Sequence, residues 1–115
     1  RKSHRVSAAI PLSFTIIDAA DAQLNGEKVP EVMSQNISVG GLFFEQGLLL
    51  TVGDKLEIQF HLPSSEPVHA VGWVVRCKPI SVDERSLHSV AVEFLQIDEM
   101  DQYRLLESLV QEPRH

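Results

Sequence analysis

The chain has 115 residues, enough for one compact domain that buries a core without disulfides or metal. Hydrophobic residues make up 43% and charged residues 23%, an ordinary soluble balance, and no apolar run approaches the roughly 18 residues of a membrane span. A net charge of −6 argues against a general nucleic-acid binder, which shows a basic face to the phosphate backbone.

The charge is uneven. Arg1, Lys2, His4 and Arg5 crowd the start, and the next basic residue is Lys28. Such a cluster suits a small anionic ligand. The start shows no signal-peptide pattern, and without an initial Met the chain is expected to continue upstream of Arg1. Cys77 is alone, so no internal disulfide framework is expected and a reducing, cytoplasmic setting fits.

The first clear element is a strand. Ile10, Leu12, Phe14 and Ile16 alternate with Pro11, Ser13, Thr15 and Ile17, so one face is buried. Asp18 to Lys28 is polar and holds Asn25-Gly26, a strong turn signal. Val29 to Ile37 reads as a weaker strand interrupted by Pro30, and Gly41 to Glu45 as a short apolar one. Gly47 to Asp54 makes a loop whose Leu48, Leu49 and Leu50 tuck under the sheet. Leu56, Ile58, Phe60 and Leu62 alternate with Glu57, Gln59 and His61, giving a strand with one wet face. Residues 63–67 form a turn by composition. Val68 to Cys77 is apolar on both faces and reads as a central strand with Trp73 in the core; Lys78 to Leu87 reads as a loop. Val90, Val92 and Phe94 mark the last strand.

Then the period changes. Met100, Tyr103, Leu106, Leu109 and Val110 recur at helical spacing as one apolar stripe, expected to pack on the strands. Asp98 fits an N-cap, Asp101 lies near the positive end of the helix dipole, and Pro113 falls past the end. The fold expected is all-β: a small six-stranded antiparallel β-barrel with a C-terminal amphipathic α-helix. One domain fills residues 1–115, with an N-terminal arm over 1–9, the barrel over 10–97 and the helix over 98–111.

Two short motifs carry the functional signal. "RKSHR" places Arg1 and Arg5 four residues apart, and "NISVGG" sets Asn36, Ser38 and Gly41 in the pattern Asn/Asp-x-Ser-x-x-Gly. Together, in this order and just ahead of two strands, they resemble the PilZ domain. That bacterial module binds cyclic di-GMP through Arg-x-x-x-Arg and Asp/Asn-x-Ser-x-x-Gly. The resemblance covers nearly the whole chain and implies the family's split barrel, a cyclic di-GMP receptor function and no further cofactor. By the same resemblance Arg1, Arg5, Asn36, Ser38 and Gly41 contact the nucleotide. Gly40 beside Gly41, and Arg76 where some members add a basic contact, join the set.

The residue types suit that ligand, a dianion with two guanine bases. An Arg fork pairs with phosphate oxygens and with guanine O6 and N7, and it stacks on a purine face. Asn36 and Ser38, two apart on a strand, share one face and can present polar groups to one guanine. The family commonly has Asp at the Asn36 position, and Asn offers one acceptor fewer, so weaker binding is expected here. Gly41 is expected to let the backbone approach the ligand without a Cβ in the way. Arg1 and Arg5 are expected on a mobile arm that orders when the nucleotide arrives, altering the surface shown to a protein partner or neighbouring domain.

Each residue also has a plainer reading. The arginines are solvated charge, "SVGG" is a hairpin turn, and Ser38 caps that turn. The scattered histidines make no metal spacing with Cys77, so no metal site is expected. No nucleophile sits beside a base and no phosphate-cradling glycine loop leads into a helix, so an enzyme is not expected. The competing reading is a PilZ-like protein-interaction module that no longer binds nucleotide. A barrel for single-stranded nucleic acid is disfavoured by net charge and by an aromatic content of 6%.

Overall fold

The computed structural model describes residues 5–6, 10–38, 40–62, 66–82 and 85–110. Its strands are β1 (Arg5–Val6), β2 (Ile10–Asp18), β3 (Lys28–Ser38), β4 (Gly41–Gln46), β5 (Lys55–Phe60), β6 (Val68–Val82) and β7 (Arg85–Ile97), followed by helix α1 (Glu99–Val110). Neighbouring strands run antiparallel in the order β3-β2-β5-β6-β7-β4, and β4 pairs back onto β3. The expected six-stranded barrel is therefore closed, which leaves few edges exposed to other chains. β1 adds to the side of β3, with Arg5 opposite Ser38 and Val6 opposite Ile37.

Alternation along the strands builds the core. Leu12, Phe14 and Ile16 of β2 and Leu56, Ile58 and Phe60 of β5 point inward and are fully buried. Phe14 meets Phe44 at 5.3 Å between ring centroids, and Phe60 stacks on Phe94 at 5.9 Å. The Asn25-Gly26 turn forms as expected: Gly26 takes a φ of 89° and the Asn25 carboxamide oxygen accepts from the Ala19 N–H.

Five expectations need correction. Pro30 does not interrupt its strand. Leu12 pairs with Val32 and Phe14 with Val29, so β3 carries an extra residue there and the proline sits within a bulge, where a missing donor is tolerated. Residues 78–82 and 85–87, expected in a loop, are strand. β6 and β7 continue as a two-stranded ribbon through Val82 opposite Arg85, and Pro79 is accommodated because β5 accompanies β6 only as far as Trp73. Nor is β6 buried on both faces: Trp73 is 37% exposed, and its indole N–H donates to Glu93 at 2.9 Å. Of the three leucines after Gly47, Leu50 is buried and Leu48 packs on the core, but Leu49 faces solvent.

The helix supplies the fifth. Asp98 caps it as expected, accepting from the Met100 N–H at 3.0 Å. The described part of the apolar stripe, however, faces away from the barrel: Met100, Tyr103 and Leu106 are 66, 58 and 42% exposed, whereas the side chains of Leu109 and Val110 lie outside the described residues. The face turned to the barrel carries Leu105, fully buried, and Asp101. Asp101 accepts from the His69 N–H and pairs with Arg104, which in turn donates to the Glu66 and Pro67 carbonyls. This clasp ties the helix to the start of β6. Among the described residues no helix is long and apolar enough to cross a membrane.

Burial of the Asp101 carboxyl works against its ionisation, but the hydrogen bonds from Arg104 and His69 outweigh that and hold its pKa below the ordinary value. A folded pKa below the unfolded one means stability that is present above the unfolded value and lost as pH falls through the folded value. Asp101→Asn is expected to lower stability by about 1–3 kcal/mol at neutral pH. The gap between wild type and variant should close in acid, below the ordinary carboxylate range; urea unfolding across pH measures it.

Candidate functional site

The site is assembled on the outer face of the barrel by strand register. Asn36 on β3 lies opposite Phe43 on β4, Phe43 opposite Ala91 on β7, and Ala91 opposite Arg76 on β6. The row beside it runs Arg5, Ser38, Gly41, Glu93, Trp73 across β1, β3, β4, β7 and β6. The intervening row, Ile37, Leu42, Val92 and Val74, points inward and is buried.

Two bulges decide which way the polar residues face. On β3, Ser34 pairs with Phe44 and Asn36 with Phe43, so Gln35 is an extra residue. Val32 and Ser34 face the core; unbroken alternation would send Asn36 after them. The bulge turns Asn36 and Ser38 outward instead. On β6, Val74 pairs with Val92 and Arg76 with Ala91, so Val75 is the extra residue and Arg76 emerges on the outer face.

These residues enclose a cleft of about 300 Å³ lined by Asn36, Ser38, Gly41, Leu42, Phe43, Arg76 and Ala91. The polar triad of the second motif and the distant Arg76 thus share one concavity. Arg5 reaches its rim through backbone pairing with Ser38, whereas Arg1 lies outside the described residues. Gly40 does not line the cleft. Its carbonyl accepts from the Phe94 N–H at 2.8 Å, which anchors the β3–β4 turn to β7. Phe43 and Ala91 are lining residues that pattern reading missed. Three successive apolar residues, Leu42 to Phe44, cannot all face inward on a strand, which was the available signal for Phe43. Ala91 is found only through register.

Ser38 caps its own turn as the plainer reading holds. Its hydroxyl accepts from the Gly40 N–H at 3.3 Å and lies 3.5 Å from the Gly41 carbonyl oxygen. Asn36 and Arg76 differ: among the described residues no side chain or backbone group hydrogen-bonds either side chain. A carboxamide and a guanidinium therefore stand in the cleft with their donors and acceptor unspent. Such a set can bind an anion and read a polar edge. Among the described residues no cluster of His, Cys, Asp and Glu could hold a metal ion.

Gly41 has a structural role that the motif did not announce. A Cβ there would stand 2.1 Å from the Val92 carbonyl oxygen, so the glycine is required by the close passage of β4 over β7. At Gly40 a Cβ would meet nothing nearer than Ser38 Oγ at 4.0 Å.

The PilZ domain family model matches residues 1–112. The chain belongs to the PilZ family. Among solved structures it is similar to the inhibitor of motility MotI of Bacillus subtilis, with a TM-score of 0.75 and 20% identity over 96% of this chain and 50% of that one. It is similar to the PilZ domain of YcgR from Escherichia coli, solved with c-di-GMP, with a TM-score of 0.69 and 16% identity over 97% and 92% of the two chains. MrkH of K. pneumonia, solved as a c-di-GMP complex, matches with a TM-score of 0.71 and 17% identity over 96% of this chain and 51% of its own. At these identities the likeness is one of fold, and the chain spans about half the length of MotI and MrkH. No curated protein matches it significantly in sequence.

Gly41 of the motif and Gly40 beside it should therefore respond differently. Gly41→Ala is expected to destabilise the barrel by about 2–4 kcal/mol through the clash with β7, whereas Gly40→Ala should stay within about 1 kcal/mol of wild type. Chemical denaturation of the two variants tests this.

Proposed function

We propose that this PilZ domain is a non-catalytic receptor module for cyclic di-GMP. The observation that carries the reading is the meeting of Asn36, Ser38 and Arg76 in one outer-face cleft, with Arg5 paired beside Ser38 at its rim. Family membership supports the choice of ligand, as do the YcgR and MrkH structures solved with c-di-GMP.

In this reading Arg5 and Arg1 take phosphate oxygens and guanine edges, a planar fork suiting both. Asn36 offers its carboxamide to one guanine, and Ser38 exchanges its long turn contacts for a ligand contact. Arg76 supplies a second cationic plane from the far wall of the cleft. Gly41 serves by position: it lets β4 lie against β7 closely enough for the cleft floor to form. No cofactor is needed.

The output is conformational. Nucleotide bridging Arg5 and the cleft would favour the arm docked on β3. That shift is bounded by the ligand's differential affinity for the docked and undocked arm. A neighbouring domain or protein partner would read the change.

Calorimetric titration with cyclic di-GMP, with GTP and cyclic di-AMP as controls, tests the reading. Micromolar or tighter binding is expected for wild type. Arg5→Ala should abolish it, and Arg76→Ala should weaken it at least tenfold, about 1.4 kcal/mol. Absence of heat and of any thermal shift with wild type would leave a protein-interaction module.

A further inference from the structure

The motif residues provide for the phosphates and one guanine, but cyclic di-GMP carries two bases. We propose that the second purine inserts into the notch above Ala91, sandwiched between the Phe43 ring and the Arg76 guanidinium. This rests on the cyclic di-GMP reading above and assigns a seat within the same cleft.

The argument is geometric. Ala91 faces outward between buried Val90 and Val92, and it is the register partner of both Phe43 and Arg76. Adjacent strands lie roughly 4.8 Å apart, so Phe43 and Arg76 stand about 10 Å from each other at Cα. Between them the surface rises only to a methyl group. A planar ring contacted on both faces needs about 7 Å between its neighbours, twice a carbon–carbon contact of about 3.5 Å. The notch has that width once the flanking side chains lean inward. All three residues line the cleft.

The chemistry of the walls agrees. An aromatic face and a planar guanidinium are the two side-chain surfaces that stack on a nucleobase, and both tolerate any purine. Phe43 is half-buried on a strand rather than carried on a loop, so its backbone position is set by the barrel. Arg76 owes its outward position to the Val75 bulge and has no carboxylate partner among the described residues. Phe43 also divides the cleft, with Asn36 on one side for the first base and Ala91 on the other for the second.

The test is a titration of the protein with cyclic di-GMP, joined to proton NMR of the bound nucleotide. Ala91→Leu fills the notch, and Phe43→Leu removes one wall while keeping an apolar side chain. Each is expected to weaken binding at least tenfold. In wild type the H8 proton of one guanine should shift upfield in the ring current of Phe43, and Phe43→Leu should abolish that shift. A folding defect would appear as a lowered melting temperature in Ala91→Leu; the NMR signature of wild type does not depend on that variant. Wild-type binding with neither the upfield shift nor a loss in Phe43→Leu overturns the notch and leaves the receptor reading standing. No wild-type binding overturns both.

Discussion

A β-strand can show a side chain to only two sides, and in a closed barrel one of them is the core. Every residue placed in the cleft depends on where that alternation is kept and where it is broken. Val32 and Ser34 face inward, and unbroken alternation would carry Asn36 inside. An unpaired carboxamide buried there would cost several kcal/mol. The extra residue Gln35 removes that conflict and delivers Asn36 and Ser38 to the surface with Ile37 still in the core. Val75 does the same for Arg76 on the opposite wall. The two bulges flank the cleft, and the packed rows beneath them hold their positions. Site and core are thus solved by one backbone arrangement.

The close approach of β4 and β7 is the second requirement, and it gives the PilZ glycine a structural meaning. With a Cβ blocked by the Val92 carbonyl at 2.1 Å, Gly41 cannot be exchanged without separating the strands that carry Phe43 and Ala91. The residue is therefore needed whether or not a ligand is bound. Its neighbour Gly40 has open space around it and contributes through a backbone carbonyl, which any residue has.

Much of the barrel was legible because β2 and β5 have one wet face, and alternation reports that directly. The Asn25-Gly26 turn and the Asp98 cap were legible for the same reason: each is a local interaction written in adjacent residues. What failed was long-range. A period of 3.6 shows that Met100, Tyr103 and Leu106 share a face but not which way it turns, and the clasp of Asp101 and Arg104 turns it outward. Trp73 is large and apolar, yet its N–H needs a partner, and Glu93 provides one at the surface. The ribbon after Lys78 has too few apolar residues to announce itself, since it covers no core. At the site, Asn36, Ser38 and Gly41 could be picked from their spacing, but Ala91 and its two neighbours meet only through pairings between separate strands.

The cleft walls are strands of the barrel, so little backbone ordering is required when a ligand enters, which removes part of the usual entropic cost of binding. The arm is different. β1 is two residues long, and its pairing with β3 rests on a few backbone hydrogen bonds worth about 1 kcal/mol each. Among the pieces brought together here, the setting of Arg5 against Ser38 is the cheapest to change. A ligand held by the cleft and also by Arg5, as proposed, would therefore spend its differential affinity on the arm. The proposed receptor would thus divide its work between a scaffold that does not yield and one marginal contact whose population a ligand would control.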